Sequence, residues 1–266
     1  MNTSQSLERG LMVLELLNNS PTPLGVREVA RRLEISTTIV QRLVNTLAEY
    51  HYLEQVAETR RYRIGPRALG LGSSLLRHDK LISSANAELQ RLANEHGLSG
   101  FLCGLRGARA VYLLAVQSHG PVAITAIPGE TAYLHSTAMG KALLAWMGED
   151  AVTELLGKEA LLKLTPKTID TMPALIDDLA EVRRRGYATS IEENLPGVIS
   201  IGAPIRNADG GVIAALSVAF AGTASSEADL RIPVQLVLDT SARLSRGLGC
   251  PPSLQSLSSG HQLDAA

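Results

Sequence analysis

Cysteine is nearly absent. Cys103 and Cys250 stand far apart in the chain, so alone they build neither a disulfide framework nor a four-ligand zinc site. No apolar run is long enough to span a bilayer, since the longest, GVIAALSVAFAG at 211–222, falls short. The opening segment MNTSQSLERGLMVLELLNNS has no basic leader and is broken by Glu8, Arg9 and Glu15, unlike a signal peptide. An excess of either charge is missing too: 25 Lys and Arg face 26 Asp and Glu, a net −1. That excludes a general polycation and leaves nucleic-acid binding to a local patch. Aromatic residues are 3% and charged residues 19%, with moderate Gly and Pro, so long disorder is not expected outside the tail. A soluble, cytosolic protein with no membrane partner is the expectation. With 266 residues, 45% of them hydrophobic, the chain can bury one large core or two modest ones.

Charge is distributed unevenly. Residues 1–70 hold nine arginines against seven glutamates, leaving sixteen basic and nineteen acidic residues for the remainder. Every base in that first block is Arg, and Arg60, Arg61, Arg63 and Arg67 crowd together. The guanidinium suits phosphates and guanine edges, although a solvated surface would look the same. Local architecture has to decide between them.

Leu7, Leu11, Leu14 and Leu17 recur at helical spacing, so Ser4 or Ser6 should start an amphipathic helix that ends before Asn18-Asn19. Pro21 and Pro23 forbid its continuation. A second short helix buries Val26, Val29, Ala30 and Leu33 and leaves Arg27, Arg31 and Arg32 outside. After a brief turn at Glu34-Ile35, Ser36 is a natural N-cap for a third helix. There Ile39 or Val40, Leu43, Val44 and Leu47 face inward, and Thr37, Thr38, Gln41, Arg42 and Asn45 form the exposed polar set. Two strand-like runs, 52–56 and 62–64, follow around the turn Ala57-Glu58-Thr59-Arg60. Helix, turn, hydroxyl-opened helix and Arg-bearing hairpin make a winged helix-turn-helix, which enters the major groove with the second helix of the pair. Arg27, Ser36, Thr37, Thr38, Gln41 and Arg42 are thus candidate DNA contacts, with Arg60, Arg61 and Arg63 on the wing for backbone phosphates or the minor groove. The plainer alternative is a generic helical subdomain.

Gly65-Pro66 ends the wing, and the following segment reads as helix interrupted by Gly70 and Gly72. From Ser99 the period changes to strands at 101–105, 110–117 and 122–127, then helices near 138–147, 150–156 and 173–185, the last closed by Gly186. Strands return at 187–191, 198–205 and 211–220, and a helix closes the domain over roughly 227–248. Helices bracketing an antiparallel sheet give an α+β sensor-type domain. The expected organisation is a DNA-binding domain at 1–66, a linker helix at 67–80, a sensor domain at 81–250 and a loose Ser-rich tail at 251–266.

One sheet face invites a ligand. In 198–205, Ile199, Ile201, Ala203 and Ile205 alternate with Ser200, Gly202 and Pro204. In 211–220, Val212, Ala214, Leu216, Val218 and Phe220 alternate with Ile213, Ala215, Ser217 and Ala219. Period-2 geometry sets a bulky face against a face of mostly small residues with two hydroxyls. Either a ligand oriented by Ser200 and Ser217 occupies that space, or a helix packs closely on it. The helix opened by Ser136-Thr137-Ala138-Met139-Gly140 offers amides to a carboxylate, whereas Glu192 and Glu193 would repel an anion unless protonated or paired.

Catalytic readings fare poorly. Met139-Gly140-Lys141-Ala142 lacks the earlier glycine of a phosphate loop, where His135 stands, and carries Ala142 in place of the Ser or Thr that binds magnesium. His119, His135 and Cys103 could meet at a zinc ion, but their spacing has no ligand signature. No nucleophile elbow, zinc-binding HExxH or paired carboxylate stands out. No cofactor or metal is called for.

The segments SLERGLMVLELL, VREVARRLEISTTIVQRLVNTL, YRIGPRALGLG, LHSTAMGKALLA, RRGYATSIEENLPGVISIGAPI and GVIAALSVAF together resemble the IclR (isocitrate-lyase-regulator-like) family of bacterial transcription regulators over about residues 4–248. The departure is Tyr50-His51-Tyr52, where that family usually has a glycine before the wing. The resemblance implies an N-terminal winged helix-turn-helix joined by a linker helix to a GAF-like antiparallel-sheet effector domain. It also implies dimers, or dimers of dimers, on double-stranded operator DNA. By the same resemblance Ala138, Met139, Gly140, Glu193, Ser200 and Ser217 occupy effector-contacting positions, and a small organic acid is the favoured ligand. The expected protein is a ligand-responsive regulator, not an enzyme. The rival is a small-molecule enzyme or sensor whose N-terminal helices hold another protein.

Overall fold

The computed structural model of the chain describes residues 3–107, 109–119, 124–157, 160–222 and 230–255. It divides into two compact units, Met1–His78 and Asp79–Ala266. Among the described residues no helix is long and apolar enough to cross a membrane.

The first unit runs α1 (Gln5–Asn18), α2 (Val26–Leu33), α3 (Thr37–Glu49), β1 (Leu53–Gln55), β2 (Tyr62–Ile64) and α4 (Pro66–His78). Val13, Leu17, Leu24, Val29, Val40, Val44, Leu53 and Tyr62 make its core. The buried face of α1 is Gly10, Val13 and Leu17, whereas Leu7 and Leu11 stay 64% and 51% exposed. The leucine stripe expected from spacing is therefore out of phase with the packing. Gly10, within reach of Leu43, marks the side on which α3 approaches. Ser36 caps α3 by accepting from the Ile39 amide, and Val40, not Ile39, takes the inward place. The wing pairs Leu53 with Ile64 and Gln55 with Tyr62, and a bridge from Leu24 to Tyr62 ties it to the segment before α2. His51 takes a left-handed backbone, φ 63°. That conformation favours glycine, and His51 adopts it with a side chain.

Gly70 and Gly72 do not interrupt α4. Glycine lowers helix stability by about 1 kcal/mol per residue but does not break hydrogen bonding. The helical run ends only at Asp79, whose carboxylate caps the next helix by accepting from Ile82 N at 3.0 Å.

The second unit runs α5 (Lys80–His96), β3 (Ser99–Arg106), β4 (Arg109–Val116), β5 (Thr131–Ala132), α6 (Ala138–Leu144), α7 (Glu149–Leu156), α8 (Met172–Arg185), β6 (Ala188–Ile191), β7 (Val198–Arg206), β8 (Val212–Ala221), α9 (Arg231–Gly247) and α10 (Pro252–Gln255). Six strands form one sheet in the order β5-β4-β3-β8-β7-β6, each neighbouring pair antiparallel. Its bulky face, with Ile199, Ile201, Ile205, Leu216 and Val218, packs on α5 and α9. The opposite face, with Phe101, Cys103, Ala215 and Ala219, packs on α6 and α8. Gly186 closes α8 in the left-handed conformation, as its sequence position indicates.

Three expectations need correction. The strand over 122–127 does not form at 124–127; β4 pairs instead with Thr131 and Ala132, and residues 122 and 123 lie outside the described residues. A turn closing from Glu130 N to Ile127 O puts the pairing segment after the apolar run. The closing helix begins at Arg231, with 227–229 outside the described residues. The tail expected to be loose from Pro251 starts with the short helix α10, and residues 256–266 lie outside the described residues.

Helices α5 and α9 are joined by charge. Arg243 donates from Nε and Nη2 to the two carboxylate oxygens of Glu88 at 3.0 and 2.8 Å. That pairing holds the Glu88 carboxyl below its ordinary 4.5. Its contribution to stability is present above the ordinary value and fades as pH falls through the lowered one.

Candidate functional site

Two surfaces carry the candidate residues, one in each unit. On the first, Thr37, Thr38, Gln41, Arg42 and Asn45 are all exposed on α3, as their phase predicts. Gln41 Nε2 donates to Asn45 Oδ1 at 2.8 Å, joining two amides one turn apart. Arg27, near the start of α2, and Arg42 have no side-chain partner among the described residues and remain available to phosphates or base edges. Ser36 is committed to its cap at the start of α3.

The wing arginines differ from one another. Arg61 donates to the Pro23 carbonyl at 3.2 Å and lies 3.5 Å from Glu28 Oε2, turned back toward α2. Arg63 pairs with Glu54 across the hairpin. Arg60, in a left-handed turn position at φ 58°, has no guanidinium partner among the described residues. The sequence gives no sign of this division, because all three look like equal cations.

On the second surface, the small-residue face is covered by a helix. A Cβ on Gly202 would lie 2.7 Å from the carbonyl carbon of Ala138 and 2.9 Å from the Met139 amide. The close-packing alternative is what the chain does at Gly202. Beside it in register, Ser217 is fully buried, and its Oγ has no hydrogen-bond partner among the described residues. Ser200, opposite Ala219 and Ser190, is half-buried. Ala138, Met139 and Gly140 are buried on α6.

The amides at the start of α6 are less open than the sequence suggests. Thr137 Oγ1 accepts from Gly140 N at 3.1 Å, and the Thr137 carbonyl accepts from Lys141 N. Gly140 therefore offers no amide to a ligand. Its place is set by packing: a Cβ there would sit 2.5 Å from the Leu134 carbonyl oxygen and 2.7 Å from that of Tyr133.

Both loop glutamates are paired. Lys141, 1% exposed, donates from Nζ to both oxygens of Glu193 at 2.9 Å and stands 3.0 Å from Asp178 Oδ2. Burial pushes the Glu193 carboxyl above its ordinary 4.5, with the Lys141 ammonium opposing. Glu192 pairs with Lys167, which holds it below 4.5, and accepts from Gly197 N at 2.9 Å. Thr165 and Thr168 donate to the Glu192 and Glu193 carbonyls at 2.7 and 2.6 Å. Sequence reasoning missed Lys141 and Asp178. The available signal was a single lysine inside the otherwise apolar run AMGKALLA, which has no low-energy place in a buried helix without a carboxylate.

The zinc possibility finds no geometry. His135 Nε2 bonds to the Leu162 carbonyl at 2.9 Å, and no three metal-ligating side chains gather among the described residues. Burial raises the Cys103 thiol to about 12, far from thiolate chemistry at neutral pH.

Comparison with known proteins matches this geometry. The family described as IclR helix-turn-helix domain matches residues 6–57, and bacterial transcriptional regulator IclR C-terminal matches residues 73–246. The HTH-type transcriptional regulator XynR of Escherichia coli is 30% identical over 93% of this chain and 98% of its own. BhcR of Paracoccus denitrificans, likewise an HTH-type transcriptional regulator, is 32% identical over 92% of this chain and 87% of its own. An IclR transcriptional regulator from Alicyclobacillus acidocaldarius superposes with a TM-score of 0.81 at 26% identity, covering 93% of this chain and 100% of that one. An IclR homologue of Microbacterium hydrocarbonoxydans, solved with 4-hydroxybenzoate, superposes at 0.79 with 25% identity, covering 92% and 99% of the two chains. A helix-turn-helix unit, an antiparallel-sheet unit and near-complete coverage by such relatives lead to one conclusion: the chain belongs to the IclR family of bacterial transcription regulators.

Proposed function

We propose that the chain binds operator DNA through α3 and its wing, and that a small metabolite held in the second unit changes its DNA affinity. The observation that carries the DNA assignment is the exposed face of α3, where Thr37, Thr38, Gln41 and Arg42 form a polar set, Arg42 having no side-chain partner among the described residues. Residues 1–66 act as the DNA-binding domain, 67–80 as the linker and 81–250 as the effector domain. The protein works as a dimer or a dimer of dimers, because half-sites about 34–36 Å apart call for paired recognition helices. Ser36 fixes the start of the reading helix, and Arg27 and Arg60 face the backbone. Arg61 and Arg63 reach it only by exchanging their carboxylate or carbonyl partners. With a typical coupling of about 1–3 kcal/mol, an effector would shift operator affinity by about 5–150-fold. Its action is that of a sensor and not of a catalyst, in keeping with relatives that carry the names of regulators.

Arg42→Ala should reduce the preference for the DNA flanking its own gene over random duplex by about 1–3 kcal/mol, the value of one good base contact. Fluorescence anisotropy with both duplexes reads this ratio. Equal losses on the two would remove Arg42 from base reading.

For the effector, Ser217 Oγ supports the reading, since a buried hydroxyl without a partner among the described residues lacks the hydrogen bond that a ligand could supply. We assign Ala138, Met139, Ser200 and Glu193 to the same effector site, with Gly140 contributing shape and no donor. The relative solved with 4-hydroxybenzoate makes hydroxybenzoates and short organic acids the first panel to screen. Ser217→Ala should leave the ligand-free melting temperature unchanged or slightly higher, because an unsatisfied hydroxyl costs about 1–3 kcal/mol. The rise produced by a ligand from that panel should shrink or vanish. A lower ligand-free melting point with an undiminished ligand shift would show that the hydroxyl serves the fold alone.

A further inference from the structure

Basic side chains meet at one end of the sheet in the second unit. Arg206 closes β7 and is 5% exposed, and its guanidinium carbon lies 3.9 Å from the centroid of the Trp146 ring, just past the end of α6. Arg183, in the last turn of α8, donates to the Ala145 carbonyl beside that tryptophan at 3.0 Å. Arg185 is the last residue of α8, and β6 follows after a short turn. The pairing of Ala188 with Gly202 sets that turn beside the second half of β7, the half that Arg206 closes. The guanidinium of Arg185 also lies over a ring, 5.1 Å from the centroid of Tyr187.

These three arginines carry charge that nothing balances. None of them makes an ion pair among the described residues, whereas Arg184 between them pairs with Glu181. The Ala145 carbonyl takes Arg183, and the Gly210 carbonyl takes Arg206 Nη1 at 2.9 Å. Three buried N–H donors are then left with no hydrogen-bond partner among the described residues: Arg206 Nη2, Arg185 Nε and Trp146 Nε1. A ring face orients a guanidinium but does not neutralise it. Burial pulls Arg206 below its ordinary value, and the ionisable neighbour opposing that shift is the Cys250 thiol, not a carboxylate. A buried charge without a counterion is costly, and buried donors without acceptors are rare. Arg183, Arg185 and Trp146 are half-buried, so the cluster meets solvent through them, with Arg206 innermost.

We propose that this cluster is a binding site for a doubly charged oxyanion of the phosphate type, held by Arg206 and Arg185 with the Trp146 indole N–H as a further donor. Charge sets the class: three guanidiniums without a carboxylate favour a dianion over the single charge of a carboxylate. Their planar forks match phosphate oxygens two at a time. Free phosphate and the phosphate group of a small metabolite share this chemistry. The site stands apart from the Ser217 hydroxyl and depends on neither the DNA nor the effector assignment.

Isothermal titration calorimetry of the full chain with inorganic phosphate, glucose 6-phosphate and acetate, at one ionic strength set with chloride, measures the affinity. Trp146 is the single tryptophan of the chain, so its emission reports from the site in the same titrations. Saturable binding of a phosphate, with a matching change in emission and no binding of acetate, is the expected result. Tighter binding of the sugar phosphate assigns the group to a metabolite, and equal binding assigns it to free phosphate. Arg185→Ala should weaken binding by about tenfold or more, the worth of one charge-assisted hydrogen bond. Arg206→Lys, which keeps the charge and loses the fork, should weaken it as well. Arg184→Ala should bind as wild type does. Melting temperatures close to wild type show that each variant keeps its fold. No saturable binding of either phosphate, equal binding of acetate, unchanged Trp146 emission on binding, or an Arg185→Ala affinity no weaker than that of Arg184→Ala would overturn the proposal.

Discussion

Replacing Lys141 with methionine is expected to destabilise the second unit by about 3–5 kcal/mol, the loss seen when one partner of a buried ion pair is removed. Methionine reproduces the four-atom stem of lysine and ends where the ammonium would begin, so the change isolates the charged group. Without it, Glu193 and Asp178 face each other in a layer where Glu193 is 8% exposed and the lysine itself 1%. The penalty should depend on pH in a definite direction. Burial already holds the Glu193 carboxyl above 4.5, and Lys141 is the largest influence opposing that rise. A carboxyl with a raised folded value supports folding fully below its unfolded value, and that support is lost as pH rises through the folded value. Lys141→Met removes the opposing charge and lifts the value further. The variant should therefore lie closest to wild type in acid and fall away toward neutral pH. Urea titrations at acid and neutral pH measure both effects, and adding Glu193→Gln to Lys141→Met should recover part of the loss. A cost below about 1 kcal/mol, unchanged across pH, would mean that the triad is solvated and does not hold the loop at 192–197.

Gly140→Ala should cost about 3 kcal/mol or more, at or beyond the upper end of ordinary overpacking. The added carbon would stand 2.5 Å from the Leu134 carbonyl oxygen and 2.6 Å from the Leu134 Cα. Both atoms belong to the backbone and cannot rotate aside, so α6 must move off the turn at 133–134 that leads into it. Gly202→Ala pushes the same helix from beneath, where Ala138 and Met139 backbone atoms lie within 2.9 Å of the new carbon. For a unit of this size the loss should appear as a melting point lower by about 6–12 °C. Gly70→Ala is the contrast: it lies inside α4 with no atom within 4 Å of a new carbon. It should raise stability by about 0.4–1 kcal/mol. Equal melting points for Gly140→Ala and wild type would contradict the close approach of α6 to the 133–134 segment.

Features with a local cause were legible in the amino-acid order. Ser36 caps α3, Gly186 stops α8, and the alternation in β7 and β8 separates a bulky face from a small one. Each depends on residues within one turn or one strand. What stayed hidden depends on distant partners. Leu7 and Leu11 have the right spacing for a buried stripe, but the phase of α1 is chosen by where α3 and the wing lie. Gly70 and Gly72 look like breaks because propensity is local, yet α4 runs through them. The small face of β7 has room for either a ligand or a helix, and only the approach of α6 to Gly202 decides that part of it. Arg60, Arg61 and Arg63 are alike in sequence and differ in structure because Glu28 and Glu54 are reached only once the hairpin has closed. Lys141 was legible as an oddity, although Asp178 lies 37 positions further on and Glu193 52.

The most direct trial of the whole account is an electrophoretic mobility shift of the wild-type chain with the DNA flanking its own gene, titrated with random competitor duplex. A retarded complex that survives an excess of competitor is the result required of a groove-reading α3. A complete absence of complex, or one displaced as readily by random DNA as by the unlabelled flanking sequence, would contradict it.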